Sequence, residues 1–324
     1  MKRRNVYIGM ALIAIATAAV FTFLFLNQTK AVDTGLLKVL DPKGAPNYSL
    51  SLTGDFDKPL KKPMDVTAND SFTYVSDTDN KRVLAFDVGG NLLFSFGEDG
   101  SDKGKFKFPY GISVDDKGRV FVADLYNGNI SIFDEKGKFI DYFAPQANKD
   151  KKISAPAALR IMDKKVYVTD IKANKAYVFD MNGKLLLEIG KPGIKDGEFN
   201  APNGITADDE GNIYVVDTGN QRVQVFNKTG KFVKIINGSN NGKGTSIFVN
   251  PRGIGFDSRG IMYVVSNLTH VVYGFDKDGK KIFQLGGMGE QNGQFYLPNG
   301  LFVDKNDNVF ITDTVNIRVQ VFKQ

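Results

Sequence analysis

Short runs of β-branched and aromatic residues alternate with clusters of Asp, Asn, Gly and Lys from about residue 54 onward, and the alternation recurs six times. Each copy opens on a proline, at Pro63, Pro109, Pro156, Pro202, Pro251 and Pro298, so successive intervals are 46, 47, 46, 49 and 47 residues. A copy runs through a short apolar segment, a polar turn, a V/I/Y-rich segment ending in an acidic or small polar residue, and a second V/F-rich segment. The fourth is the cleanest: Pro202-Asn-Gly-Ile, then Ile213-Tyr-Val-Val-Asp217-Thr-Gly-Asn-Gln-Arg222-Val-Gln-Val-Phe226. Runs of this kind predict strands. Turns such as Asp116-Lys117-Gly118, Asp209-Glu210-Gly211, Lys136-Gly137 and Asp278-Gly279 carry residues that tolerate the positive φ of a tight hairpin. No stretch after residue 35 has helical spacing. Four short antiparallel strands per copy, six times over, predict an all-β, six-bladed β-propeller over residues 48–324.

The ends of the ring are also readable. The last copy stops at Val319-Gln-Val-Phe322-Lys-Gln324, without an outer strand of its own. Tyr48-Ser-Leu-Ser-Leu-Thr-Gly54 matches the outer strands Asn91-Leu-Leu-Phe-Ser-Phe-Gly97 and Lys184-Leu-Leu-Leu-Glu-Ile-Gly190. Residues 48–54 are therefore expected to complete the last blade and close the ring, leaving no long edge strand unpaired.

The pattern Gly197-x-Phe199-x-x-Pro202-x-Gly204-Ile205, followed by Tyr214-Val-x-Asp217-Thr-x-Asn220-x-Arg222-Val-x-x-Phe226, resembles the NHL repeat, and Gly293 to Phe322 repeats it almost fully. The resemblance covers residues 54–324; the third copy, with Pro156-Ala-Ala-Leu, and the fifth, with Ser266 in place of the strand-end Asp, are degenerate. The absence of Trp argues against a WD-type propeller. A fold of this kind hosts binding modules and enzymes alike, so function has to be argued from the site.

The N-terminal region reads differently. Met1-Lys2-Arg3-Arg4 is basic, and Val6 to Leu26 is an uncharged run of 21 residues, about the length that spans a bilayer. The expectation is a cytoplasmic tail over 1–5, a transmembrane signal anchor over 6–26, a tether over 27–47, and a monomeric propeller facing outward, periplasmic or extracellular, on a single-pass membrane protein. The net charge of +6 does not point to nucleic acid: four of the 42 basic residues, Lys2, Arg3, Arg4 and Lys30, lie in this segment, leaving 38 against 36 acidic residues. The remaining charges are interleaved in turns. Without cysteine there is no disulfide, thiolate metal site or covalently attached haem.

Candidate chemistry is sparse. His270 is the single histidine, which excludes the histidine-cluster zinc site of amidating-lyase propellers, and it occupies the place of Arg222 and Arg318 in the repeat, a structural position. The strand-end acids Asp77, Asp124, Asp170, Asp217 and Asp313 are expected to cap tight turns, with Arg82, Arg222 and Arg318 as partners, and Phe106, Phe199 and Phe295 to fill gaps between blades. Specificity on a repeat scaffold is placed at equivalent, variable loop positions. Here these are the residues after each proline, Met64, Tyr110, Ala157, Asn203, Arg252 and Asn299, on the channel mouth; the opposite face, with its short hairpins, is expected to offer little concave surface.

Two functional classes remain. The leading expectation is a membrane-tethered, extracytoplasmic scaffold, not an enzyme, that binds a protein, peptide or glycan through Tyr110, Asn203, Arg252, Asn299 and Met64, with no cofactor and no nucleic acid. The rival is a Ca2+-dependent hydrolase or lactonase: in gluconolactonase-like propellers an Asn of a Pro-Asn-Gly loop ligates the metal, a resemblance that Asn203 and Asn299 share locally.

Overall fold

The computed structural model describes residues 44–324 apart from residue 151. It contains six four-stranded antiparallel sheets, each running from an innermost strand at the axis to an outermost strand at the rim. The innermost strands of blades one to six are β2 (Pro63–Ala68), β6 (Pro109–Val114), β10 (Pro156–Met162), β14 (Pro202–Ala207), β18 (Pro251–Phe256) and β22 (Pro298–Val303). Every one begins on the repeat proline, whose missing N–H suits a strand start. The outermost strand of blade six is β1 (Asn47–Leu52), paired with β24 (Arg318–Lys323) in the register Tyr48↔Phe322 and Leu52↔Val319. Closure by the N-terminal strand is thus present, two residues shorter at its far end than the sequence pattern suggested.

Blade four shows why the repeat folds this way. Its middle strands, β15 (Ile213–Asp217) and β16 (Arg222–Phe226), are buried along their whole length because a neighbouring blade covers each face, so their apolar residues need not alternate. The outer strand, β17 (Phe232–Ile236), is only partly covered, exposed at Val233 and buried at Ile236. The cores lie between blades: Tyr214, Val216 and Val225 pack against Phe248, Ile254 and Tyr273 of blade five. Phe199 is fully buried between blades three and four, packed with Ile189 and Val215. Gly190 permits this, since at φ +90° a Cβ there would lie 2.2 Å from the Phe199 ring.

The strand-end acids act as clips. Asp217, with no exposed surface, accepts from the Asn200 N–H at 2.7 Å, Asn220 Nδ2 at 2.8 Å, Arg222 Nε at 2.8 Å and Gln224 Nε2 at 2.9 Å. Arg222 then donates to the Lys195 carbonyl at 2.7 Å, fastening the loop between blades three and four. Asp77 with Arg82 and Asp313 with Arg318 repeat the arrangement. In blade five Ser266 and Val271 take the places of the pair, and His270, expected at the Arg222 position, sits one residue earlier at the left-handed place of Gln221. Its Nδ1 accepts from the Leu297 N–H at 3.1 Å, and burial lowers the imidazole pKa, favouring this neutral acceptor.

Close approach at the axis is set by the glycine two residues after the proline. A Cβ on Gly111 would fall 2.2 Å from the Ala157 carbonyl oxygen, and one on Gly204 2.2 Å from that of Arg252. Backbone cannot yield as a side chain can. Gly111→Ala is therefore expected to cost about 1–3 kcal/mol by forcing blades two and three apart. Urea unfolding measures it, and an unchanged midpoint would mean that the innermost strands have slack.

The expected membrane anchor is not supported by the structure. The expected span over 6–26 lies outside the described residues, and among the described residues no helix is long and apolar enough to cross a membrane. The single α-helix among them, Pro145–Lys149, has five residues. The single-pass topology, the outward orientation and the membrane localisation built on that apolar run are accordingly set aside.

Candidate active site

The residues after the prolines are not loop residues. They are the second residues of the innermost strands, and the structure brings them to one mouth of the axial channel. Met64, Tyr110, Asn203 and Asn299 are 8%, 4%, 3% and 4% exposed, where variable loop positions would be open to solvent. Tyr110 reaches across the axis so that its hydroxyl lies 2.9 Å from Asn203 Nδ2, while Asn299 Nδ2 donates to the Met64 carbonyl at 2.8 Å and approaches the Tyr110 hydroxyl at 3.4 Å. Blades one, two, four and six meet there. Beside them, Phe108 stacks on Tyr110 at 6.2 Å and carries Lys62 and Lys81 over its ring at 5.1 and 5.7 Å.

Arg252 holds the equivalent place on blade five, between Asn203 and Asn299. It is half-buried, and its Nε is shielded from solvent with no hydrogen-bond partner among the described residues. No carboxylate pairs with its guanidinium among them either. A buried donor without an acceptor carries its full desolvation cost, and a bound anion would remove that cost.

Further along the same strands the axis is closed by an ion pair that the sequence reading missed. Asp65 and Arg160, with side chains 5% and 9% exposed, pair in two places: Nη1 to Oδ2 at 2.8 Å and Nη2 to Oδ1 at 2.9 Å. Only about 10 Å³ remains between this pair and the Tyr110 ring, room for a water at most. The two residues are separated by 95 positions and depart from the repeat: Asp65 stands where blades two, four, five and six have Gly111, Gly204, Gly253 and Gly300, and Arg160 where others have Thr67, Ser113 and Thr206. Departure from the consensus at two axial positions is the signal that could have found them.

The hairpin face is more concave than expected. A cavity of about 280 Å³ is lined by Arg160, Thr206, Phe302, Lys305 and Asp307, and one of about 630 Å³ by Asp70, Asp115, Lys117, Glu135 and Asn306. Many of their acids serve the hairpins themselves. Asp115 accepts from the N–H groups of Lys117 and Arg119 and from Arg119 Nε, and Asp307 from the N–H and hydroxyl of Ser258.

A divalent cation at Asn203 and Asn299 does not fit these residues. Hard cations take six or more oxygen ligands, preferably charged. Asp65, the carboxylate lining this cavity, is spent on Arg160, and Asn203 Oδ1 accepts from the Tyr110 hydroxyl at 3.1 Å, which leaves too few oxygens for such a shell. Among the described residues no three His, Cys, Asp or Glu side chains are grouped to hold a metal.

A family model described as "6-bladed beta-propeller" matches residues 140–223. The chain is 32% identical over 103 residues to the human NHL repeat-containing protein 3, an alignment covering 31% of this chain and 28% of that one. Alignments with three further curated relatives cover between 4% and 18% of their lengths, so the chain spans a minor part of each. Among solved structures, a gluconolactonase from Xanthomonas campestris superimposes with a TM-score of 0.56 at 14% identity, over 86% of this chain and 97% of that one. A catalytically inactive virginiamycin B lyase from Staphylococcus aureus, with quinupristin, gives 0.56 at 14% identity over 81% and 80%. These likenesses establish a six-bladed propeller loosely related to NHL-repeat proteins. Two enzymes share the fold over more than four-fifths of the chain, so the fold gives no ground for the expectation of a non-enzymatic scaffold, and no helix among the described residues supports the membrane tether.

Proposed function

We propose that this propeller is an enzyme acting on a small substrate that bears a carboxylate or another oxyanion, bound at the proline-loop mouth of the channel without an axial divalent metal. The observation that carries the reading is Arg252, a half-buried guanidinium whose Nε has no partner among the described residues, set between Asn203 and Asn299 on adjoining blades. Lactone opening and eliminative cleavage, the kinds of reaction that the names of the two structural relatives suggest, both develop negative charge on oxygen. Preorganised donors facing such charge in a water-poor site are the largest catalytic term a protein can supply. Arg252 provides the countercharge, the amides of Asn203 and Asn299 shape the polar ring, and the Tyr110 hydroxyl, fixed by Asn203, is the group placed to pass a proton. The aromatic and cationic surface of Phe108, Lys62 and Lys81 extends the binding region outward.

Arg252→Met separates binding from folding. It keeps the apolar stem and deletes an unpartnered donor, so Tm is expected to stay level or rise slightly. Small carboxylates should raise the Tm of the unaltered chain saturably and lose that effect, along with turnover of responsive lactones or esters, by about tenfold or more in the variant. A carboxylate response that survives Arg252→Met, or no response in the unaltered chain, would remove the reading.

A further inference from the structure

We infer that the Arg160 guanidinium is the resident cation of the propeller axis, held in an oxygen-lined seat that takes a divalent cation once the guanidinium is removed. The inference concerns the closed end of the site and holds whatever substrate the open mouth accepts. Arg160 Nη1 donates to Asp65 Oδ2 at 2.8 Å, the Leu159 carbonyl at 2.8 Å and the Ile112 carbonyl at 3.2 Å; Nη2 donates to Asp65 Oδ1 at 2.9 Å and the Leu301 carbonyl at 2.8 Å. One carboxylate and three backbone carbonyls, drawn from blades one, two, three and six, therefore face a single positive charge. Carboxylate and carbonyl oxygens are the donor set of calcium sites in proteins. The carboxylate and the guanidinium balance in charge, and both side chains are more than nine-tenths buried.

The sequence supports a substitution of one cation for another. The third residue of the innermost strand is glycine in four blades and Ala158 in blade three, where the approach of neighbouring backbones leaves little room; Gly300, for one, would place a Cβ 2.7 Å from Asp65 Oδ1. An aspartate at that position on one blade puts a buried negative charge into the ring, and a buried charge must be paired. Arg160, from a position filled elsewhere by Thr67, Ser113, Thr206, Gly255 and Phe302, pairs it. Guanidinium is planar, always charged and suited to bidentate carboxylate contact, so it serves as a cation that cannot dissociate.

The test is melting and calorimetric titration of the full chain with calcium chloride, for the unaltered protein, Arg160→Ala, and Arg160→Ala with Asp65→Asn. Arg160→Ala should gain one calcium site and a rise in Tm of about 3 °C or more at calcium tenfold above its dissociation constant. Neither the unaltered chain nor the double variant should show it. If Arg160→Ala does not fold in buffer, its refolding yield in calcium chloride is compared with that in sodium chloride of equal ionic strength; recovery specific to calcium supports the inference, and equal yields overturn it. A folded Arg160→Ala indifferent to calcium, or an unaltered chain with a calcium site abolished by Asp65→Asn, overturns it as well.

Discussion

A chain beginning at Asp55 is expected to melt at least about 10 °C below one beginning at Gly44, or to aggregate, because it lacks the strand that closes the ring. Leu52, 2% exposed, packs with Val66, Val75 and Phe86 of blade one and Phe310 and Val321 of blade six, so its loss opens the junction between first and last blades. Its burial is worth roughly 2 kcal/mol. Tyr48 meets Phe322 edge-on at 6.1 Å, adding about 1 kcal/mol. The backbone ladder from Asn47↔Lys323 to Leu52↔Val319 contributes a few hydrogen bonds at about 1 kcal/mol each. The total, roughly 5 kcal/mol, is a large part of the 5–15 kcal/mol that typically holds a domain together. Deletion also bares β24 as an edge strand, a template for pairing with another chain. Thermal melting with light scattering decides the matter, and equal midpoints without aggregation would show that the ring closes by other means.

What could be read in the sequence follows from how local each determinant is. The period between prolines, the hairpin turns and the match of residues 48–54 to an outer strand are properties of short segments, and each reappears in the structure. The strand-end clips were equally readable, since Asp217, Asn220 and Arg222 lie within one turn. The axis was not. Tyr110 meets Asn203 across 93 positions and Asp65 meets Arg160 across 95, and which blades face one another across a ring is invisible until it has closed. The variable residues after the prolines lie on the innermost strands rather than in loops: an innermost strand at a narrow axis buries even polar residues, provided that they bond to one another. The apolar run over 6–26 was read from length and hydropathy, and no membrane-spanning helix among the described residues answers to it.

The second large effect is expected at the axial pair. Asp65→Ala should destabilise the propeller by about 3–5 kcal/mol, because it strands the Arg160 guanidinium in a buried site with three carbonyls and no counterion. Asp65→Ala combined with Arg160→Met should recover most of that loss, since replacing both partners of a buried pair by apolar groups is often neutral. Urea unfolding of the two singles and the double gives the coupling directly. A single Asp65→Ala within 1 kcal/mol of the unaltered chain would show that the pair carries little of the stability. The double variant has a further use. The pair ties together blades one, two, three and six directly below the Tyr110, Asn203 and Asn299 ring, so it also sets the distance across which Tyr110 reaches Asn203. If the ring is the catalytic surface, the double variant should regain stability while losing turnover, because apolar side chains fill the axis without fixing the spacing of the blades. Stability and turnover recovered together would leave the pair a purely structural plug beneath a ring that keeps its own spacing.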